Sequence, residues 1–359
     1  MFEIHPEQYQ SLLEQKSQTL ISLFSDVNTP KLEIYASEPT HYRLRAEFKI
    51  WHEGDQLSYV MFDQGKPVEI KNFPQASQAI SDLMQPLLKT LEAEQILKHR
   101  LFQIDFLNTL NGDMLVTLIY HKKLDEEWLA AAEPLREKFS INIIGRSRKQ
   151  KLLLGDDYVI EKLEVLNKTF CYQQIENSFT QPNAKVCEKM LSWAVQHSKN
   201  SEGDLLELYC GNGNFTIPLS QNFNKVLATE IAKSSVRSAL VNLESNQIGN
   251  VKIVRLSSEE VTQALNGERE FRRLADINLQ EYAFNTVFVD PPRAGLDEKT
   301  VQLVSRFDTI IYISCNPHTM LDNIRHLPEH EITQFALFDQ FPYTNHMECG
   351  VVLKKCDNI

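Results

Sequence analysis

From His41 to Trp51 apolar and polar residues alternate, with Leu44, Ala46, Phe48 and Ile50 on one side, which predicts a half-buried strand. His52-Glu53-Gly54-Asp55 then predicts a turn into a second strand near Leu57–Phe62. After Ser77 the period lengthens. Ile80, Leu83, Met84, Leu87, Leu88 and Leu91 fall on one face of a helix expected to run to His99. Glu7–Phe24 and Asp125–Phe139 also read as helices. Leu101–Leu110 and Met114–Tyr120 flank Asn111-Gly112, a hairpin signal, and Ile141–Gly145 adds a strand. Mixed periods of this kind predict an α+β region.

Near residue 180 the pattern changes. A helix is predicted over Gln181–Gln196, then short apolar runs at Leu205–Cys210, Lys225–Thr229, Val251–Leu256, Thr286–Asp290 and Thr309–Ser314, with helical stretches between them. That alternation predicts a mostly parallel, doubly wound sheet with helices on both faces. Ile332–Asp339 and Gly350–Lys354 are expected to close it as an antiparallel hairpin at the sheet's edge. The expected fold class is α/β, a Rossmann-like domain over residues 176–359 preceded by an α+β domain over residues 1–175.

Composition narrows the function. No apolar run approaches the roughly 18 residues of a membrane span, and the start MFEIHPEQYQ lacks the basic and apolar regions of a secretion signal. No membrane partner is expected, and the cytoplasm is the expected location. The six cysteines include no C-x-x-C pair and none in the first 170 residues. That argues against a disulfide framework, a metal site or an iron–sulfur cluster. The formal net charge of −11 speaks against indiscriminate nucleic-acid binding, so an RNA site would have to gather positive charge in one place.

Candidate chemistry concentrates at the ends of the predicted parallel strands. Glu207-Leu208-Tyr209-Cys210-Gly211-Asn212-Gly213-Asn214-Phe215 lies where the first strand should turn into a helix, the usual place for a ligand in such sheets. Thr216 replaces the third glycine of the dinucleotide fingerprint, which weakens a NAD or FAD reading. Glu230, about 20 positions on, stands where an acid holds ribose hydroxyls. S-adenosylmethionine needs those elements without a pyrophosphate cradle. The plainer readings are an unrelated turn and a solvated helix cap.

Asp290-Pro291-Pro292-Arg293 predicts a rigid projecting loop, since the prolines continue neither strand nor helix. Cys315-Asn316-Pro317-His318 follows the next strand, and by itself Cys315 is equally a buried hydrophobe or a nucleophile. Glu348 is a candidate base or an exposed hairpin residue, with His346 an equal contender.

Five segments in this order resemble the RNA m5U methyltransferase family. They are Asn177-Ser178-Phe179-Thr180-Gln181-Pro182-Asn183, the 207–215 loop, Asp290-Pro291-Pro292-Arg293, Ser314-Cys315-Asn316-Pro317, and Phe338-Asp339-Gln340-Phe341-Pro342 through Glu348. Resemblance to the tRNA-acting branch extends over the N-terminal half. It implies an S-adenosylmethionine-dependent enzyme with an N-terminal RNA-recognition domain. It implies Gln181, Tyr209, Asn214, Glu230 and Asp290 around the cofactor, Cys315 as nucleophile, Glu348 as proton acceptor, and Phe179 and Arg293 near the uracil.

The implied substrate is uridine 54 of the tRNA T-loop, and the family allows a second, the tRNA-like part of transfer-messenger RNA (tmRNA). Carbon 5 of uracil is too weak a nucleophile to take a methyl group directly, and thiolate addition at carbon 6 makes it one. Relatives acting on ribosomal RNA carry an OB-like module and a four-cysteine iron–sulfur cluster. The cysteine-free first 170 residues lack those ligands, so ribosomal RNA is the alternative rather than the leading substrate.

A stacked T-loop uridine has to be extruded before its carbon 6 can be reached. Arg43, Arg45 and Lys49 share a predicted strand face, Lys122-Lys123 follow the hairpin, and Arg146, Arg148, Lys149 and Lys151 form the densest basic run. The 146–151 run is the expected phosphate contact. Two rivals stand beside this reading. One is an amino-group methyltransferase, whose Asn/Asp-Pro-Pro-aromatic loop the Asp-Pro-Pro stretch resembles, although Arg293 replaces the aromatic. The other is an RNA-binding or RNA-folding protein with secondary methylation activity.

Overall fold

The computed structural model describes residues 3–199 and 201–356. The chain forms two compact units. The first comprises Glu38–Leu163 and Gln173–Ala184, with the first few residues. The second comprises Glu7–Ser37, Glu164–Tyr172 and the chain from Lys185 onward. The sequence predicts one boundary near residue 175, whereas the chain passes between the units more than once.

In chain order the strands are β1 (Glu33–Tyr35), β2 (Arg45–Glu53), β3 (Gln56–Asp63), β4 (Lys66–Glu69), β5 (Leu101–Asn108), β6 (Met114–Tyr120), β7 (Asn142–Ser147), β8 (Gln150–Leu154), β9 (Tyr158–Val165), β10 (Lys168–Ile175), β11 (Asp204–Leu208), β12 (Val226–Thr229), β13 (Val251–Val254), β14 (Phe284–Val289), β15 (Thr309–Ser314), β16 (His330–Phe338) and β17 (Glu348–Lys355).

The first unit is built on a seven-stranded sheet ordered β4-β3-β2-β5-β6-β7-β8. Its neighbours are antiparallel except β6 and β7, which are parallel and joined through the helix Glu126–Phe139. Ile80, Leu83, Leu87 and Leu91 of the helix Gln78–Ala93, with Trp128, share a core with Phe48, Ile104, Phe106 and Val116. The helix expected to reach His99 breaks at Glu94, whose backbone is extended, and resumes as the short turn Gln95–Lys98. Gly112 sits in the left-handed region at φ 97°, as the hairpin signal predicts. The loop is nevertheless longer than two residues, because Thr109 N–H donates to the Asp113 carbonyl at 3.0 Å. Strands β4, β8, β9 and β10 are not among those the pattern predicts, and β4 is exposed at every residue and so carries no apolar period.

The second unit holds an eight-stranded sheet ordered β1-β16-β17-β15-β14-β11-β12-β13. Strands β11 to β15 run parallel, as the alternation predicts. The β16–β17 hairpin is antiparallel but is not the edge, because β1 pairs in parallel with β16 outside it. The helix Tyr9–Leu23 belongs here: Tyr9, Leu13, Leu20 and Phe24 join the core of Phe335, Leu337 and Val351. The helix expected at Gln181–Gln196 spans Ala184–His197. No helix among the described residues is long and apolar enough to cross a membrane.

Candidate active site

Register places the candidate residues of the second unit on one rim. Thr229, Leu208, Val289 and Tyr312 stand side by side in the parallel ladder. The next residues outward, including Glu230, Tyr209 and Asp290, therefore leave the sheet together. β15 and β17 end their antiparallel pairing at Ser314 and Cys349, so Cys315 and Glu348 are the next positions along that pair. Two sheet strands deliver a thiol and a carboxyl to the same end.

The glycine loop is shaped by backbone that ordinary residues avoid. Gly211 has φ 57° and a Cβ there would meet nothing, so its glycine serves backbone angle and open approach rather than packing. Tyr209 takes φ 62° although it is aromatic, an outlier that persists where surrounding structure holds it. Its hydroxyl is 3.1 Å from the Ser258 hydroxyl. Glu230 accepts from Gly211 N–H at 3.1 Å and Ala232 N–H at 2.7 Å, tying the loop to the start of the next helix. That is partly the helix-cap reading, yet each carboxylate oxygen keeps a lone pair for a ligand hydroxyl. Asn214 is held from beneath, its carbonyl accepting from the Tyr172 hydroxyl at 3.0 Å.

On the other side, Cys315 precedes Asn316, the N-cap of the helix Pro317–Ile324. Asn316 Nδ2 donates to the Arg293 carbonyl at 3.0 Å, so the cysteine loop grips the Asp-Pro-Pro-Arg loop directly. Asn323 adds a bracket, accepting from Leu296 N–H at 2.9 Å and donating to its carbonyl at 3.0 Å. Cys315 is half-buried and Glu348 is buried, while His346 is exposed.

Charge completes the picture. Burial pushes the Asp290 carboxyl up to about 7. Burial, then the neighbouring Asp290, holds Glu348 well above the usual carboxylate range. The Cys315 thiol is raised by burial, then by Glu348 and Asp290, while Arg293 pulls it back. Glu207 in β11 is the member the sequence reading passed over as a candidate, although one acid inside the apolar run Leu205–Leu208 is a signal of a buried carboxyl. Burial pushes it to about 8, with the Thr216 hydroxyl opposing and Asp290 adding a lesser push. Apart from the neighbouring Thr216 hydroxyl, neither Glu207 carboxylate oxygen has a hydrogen-bond partner. A desolvated, under-satisfied acidic cluster beside a glycine loop fits a cationic ligand such as S-adenosylmethionine.

A carboxyl whose folded pKa stands above its unfolded value gains protons on folding. Its stabilisation is full below about pH 4 and is lost as pH rises through the folded pKa. The ligand-free protein should therefore melt lower at pH 8.5 than at pH 5. Glu207→Gln should flatten that fall and raise the melting temperature mainly at the alkaline end. An unchanged pH slope in the variant, read by differential scanning fluorimetry, would exclude Glu207 as a contributor.

A family model described as tRNA (Uracil-5-)-methyltransferase matches residues 8–356. The chain belongs to the tRNA (uracil-5-)-methyltransferase family. A family relative from Shewanella loihica, named tRNA/tmRNA (uracil-C(5))-methyltransferase, is 55% identical over 98% of both chains. One of the same name from Vibrio parahaemolyticus is 52% identical, again over 98% of both. The solved structure of Pyrococcus abyssi tRNA (uracil-54, C5)-methyltransferase in complex with S-adenosyl-L-homocysteine shares the fold. Its TM-score is 0.74 at 21% identity, covering 96% of this chain and 83% of that one.

Two residues that the tRNA (uracil-5-)-methyltransferase resemblance singled out lie in the first unit, on Gln173–Ala184. Gln181 is half-buried, and Phe179 is 75% exposed, a large apolar ring left to solvent. Arg45 shapes this segment by donating to the Ser178 carbonyl at 2.9 Å and to the Glu176 carbonyl. Its predicted place on a basic strand face is therefore internal. Arg146 likewise pairs with buried Glu176, and Lys151 with Asp157 at 2.6 Å and Glu176 at 3.6 Å. Half of the expected phosphate-binding run is thus spent inside the unit.

Proposed function

We infer that the protein methylates carbon 5 of uridine 54 in the tRNA T-loop, with the matching loop of tmRNA as a second substrate. Cys315 is the nucleophile and Glu348 the proton acceptor in this reading. The observation that carries it is the delivery of a thiol and a buried carboxyl to adjacent strand ends, on the rim that also bears the glycine loop. Tyr209, Asn214, Glu230 and Asp290 of the second unit would hold the cofactor, with Glu207 offering charge complementary to its cation. When bound, S-adenosylmethionine supplies an electrophilic methyl group on a sulfonium.

The chain's own residues do the rest. Cys315 Sγ adds to carbon 6 of the uracil, which leaves carbon 5 electron-rich. Once carbon 5 carries the methyl group, its remaining proton passes to Glu348. The carbon 5–carbon 6 double bond re-forms and the thiolate departs. Arg293, exposed on the loop that Asn316 and Asn323 hold, would orient the base in this reading. With 5-fluorouridine in place of the target uridine, fluorine cannot leave as a proton does. The wild-type protein, S-adenosylmethionine and a T-arm RNA so substituted should give a denaturation-resistant adduct. Methyl transfer to unmodified RNA without any such adduct would sink the covalent mechanism.

RNA recognition is supported by a groove in the first unit of about 830 Å³, lined by His121, Lys122, Lys123, Arg148, Lys149 and Gln150 among others. Its walls are tied together: Gln150 exchanges hydrogen bonds with Leu124 N–H at 3.0 Å and the Leu124 carbonyl at 3.1 Å. Lys122 is occupied by the Ile96 carbonyl at 2.6 Å, while Lys123, Arg148 and Lys149 have no ion-pair partner among the described residues. An acidic chain with three such cations on one groove meets the requirement that its net charge imposes. Neutralising Lys123, Arg148 and Lys149 together should weaken RNA binding and flatten its log–log salt slope by about 2 to 3. An unchanged slope would remove the groove from the RNA site.

A further inference from the structure

The segment from Asp339 to Met347 joins β16 to β17 and ends at Glu348, yet its first residue has no role in the chemistry above. Asp339 is 2% exposed. Its carboxylate meets Lys16 Nζ, from the helix Tyr9–Leu23, at 2.6 Å, and the lysine side chain is itself only 9% exposed. The same ammonium donates to the Phe341 carbonyl at 3.0 Å, so one side chain grips the connection at two points. Tyr9, a turn and more earlier on that helix, packs its ring against Tyr343 with centroids 5.9 Å apart.

Elsewhere helix and connection are less closely packed. A cavity of about 210 Å³ is lined by Tyr9, Lys16, Asp339, Tyr343, Asn345 and Met347. Tyr343 also holds a left-handed backbone at φ 61°, which an unpinned aromatic residue would tend to leave.

A charge pair this well covered is a weak source of stability, because desolvation offsets most of its attraction, and such pairs are better explained by what they fix in place. We propose that Lys16, acting through Asp339 and the Phe341 carbonyl, is a positioning residue for the proton-abstraction step, holding the connection that leads into Glu348, the first residue of β17. Lys16 contributes no atom to the reaction. In the step it governs, Cys315 Sγ is bonded to carbon 6 and carbon 5 bears both the methyl group and a proton. The Glu348 carboxylate takes that proton, the freed electron pair forms the carbon 5–carbon 6 double bond, and the sulfur–carbon bond breaks to return the thiolate. A base must lie within hydrogen-bond reach of its proton, and a displacement near 1 Å costs about 100-fold in rate. Nucleophilic addition, which needs Cys315 on the neighbouring strand, makes no such demand on the connection.

The inference rests on the reading of Glu348 as the base, and the test separates the two. Lys16→Met alone strands the Asp339 charge and risks unfolding, so it is paired with Asp339→Asn, with Lys16→Arg as the conservative control. Each protein is given unmodified T-arm RNA and S-adenosylmethionine with a labelled methyl group. Label in RNA and label in a denaturation-resistant protein–RNA adduct are followed separately. The double variant should methylate in its first turnover nearly as fast as wild type, then release product about 10- to 100-fold more slowly, so that labelled adduct accumulates. Lys16→Arg should restore release. Methylation and release falling together, or neither changing, would overturn the positioning role. If wild type forms no adduct even with 5-fluorouridine RNA, the covalent reading falls first and this inference with it.

Discussion

Glu348→Gln should leave the protein covalently joined to methylated RNA. The amide keeps the size and shape of the carboxyl but cannot take a proton from carbon 5, so addition and methylation proceed and elimination stalls. Loss of a positioned general base costs about 10²- to 10⁴-fold. The fall should appear in kcat, with the Michaelis constant for RNA little changed, and a labelled adduct should be visible on a denaturing gel with unmodified substrate. The substitution should not unfold the protein. Glu348 is 3% exposed, and a neutral amide is easier to bury beside Asp290 than a second carboxylate. His346→Ala is the control, because that imidazole is two residues away and exposed. Adduct trapped by His346→Ala and not by Glu348→Gln would transfer the base to the histidine.

Cys315→Ala should abolish turnover and adduct together, on the order of 10⁶-fold, the scale seen when a covalent nucleophile is deleted. Cofactor binding should survive, since the groups that would hold it lie mainly on other strands. The pH dependence follows from the charges around the thiol. Burial and the carboxyls of Glu348 and Asp290 hold the Cys315 pKa above its ordinary value, so thiolate is scarce at neutral pH in the ligand-free site. The rate of adduct formation with 5-fluorouridine RNA should therefore climb with pH across the neutral and mildly alkaline range. Asp290→Asn removes one repelling charge and should move that climb to lower pH, even as it weakens cofactor binding. A shift to higher pH, or none, would show that Asp290 does not set the thiol's ionisation.

Much of the second unit was legible because a parallel sheet covered on both faces writes itself as apolar runs, and the loops after those runs hold the candidate chemistry. Glu230, Asp290 and Cys315 each follow such a run directly, so their shared rim could be inferred from strand order alone. What could not be read were partnerships made over long sequence distances. Nothing in the three residues of β1 says that they pair with β16 some 300 positions later. Nor does the spacing of Arg146, Arg148, Lys149 and Lys151 reveal that a buried acid at Glu176 claims two of the four. Glu207 was legible as a residue and illegible as a problem, because only the folded strand shows that its oxygens go unsatisfied.

The helix Tyr9–Leu23 and β1 have a consequence for how the protein is made. They are translated before the first unit, and their packing partners in β16 and β17 after it. The first unit is encoded between them and, with nearly all of its strands already synthesised, can fold while they wait. The second unit is thus completed only after the strands of the first have been made, when β16 and β17 become available to the helix and β1. A premature stop between the last strands of the first unit and β16 would release a chain with the first unit complete and an uncovered apolar helix, a species for chaperones and proteases.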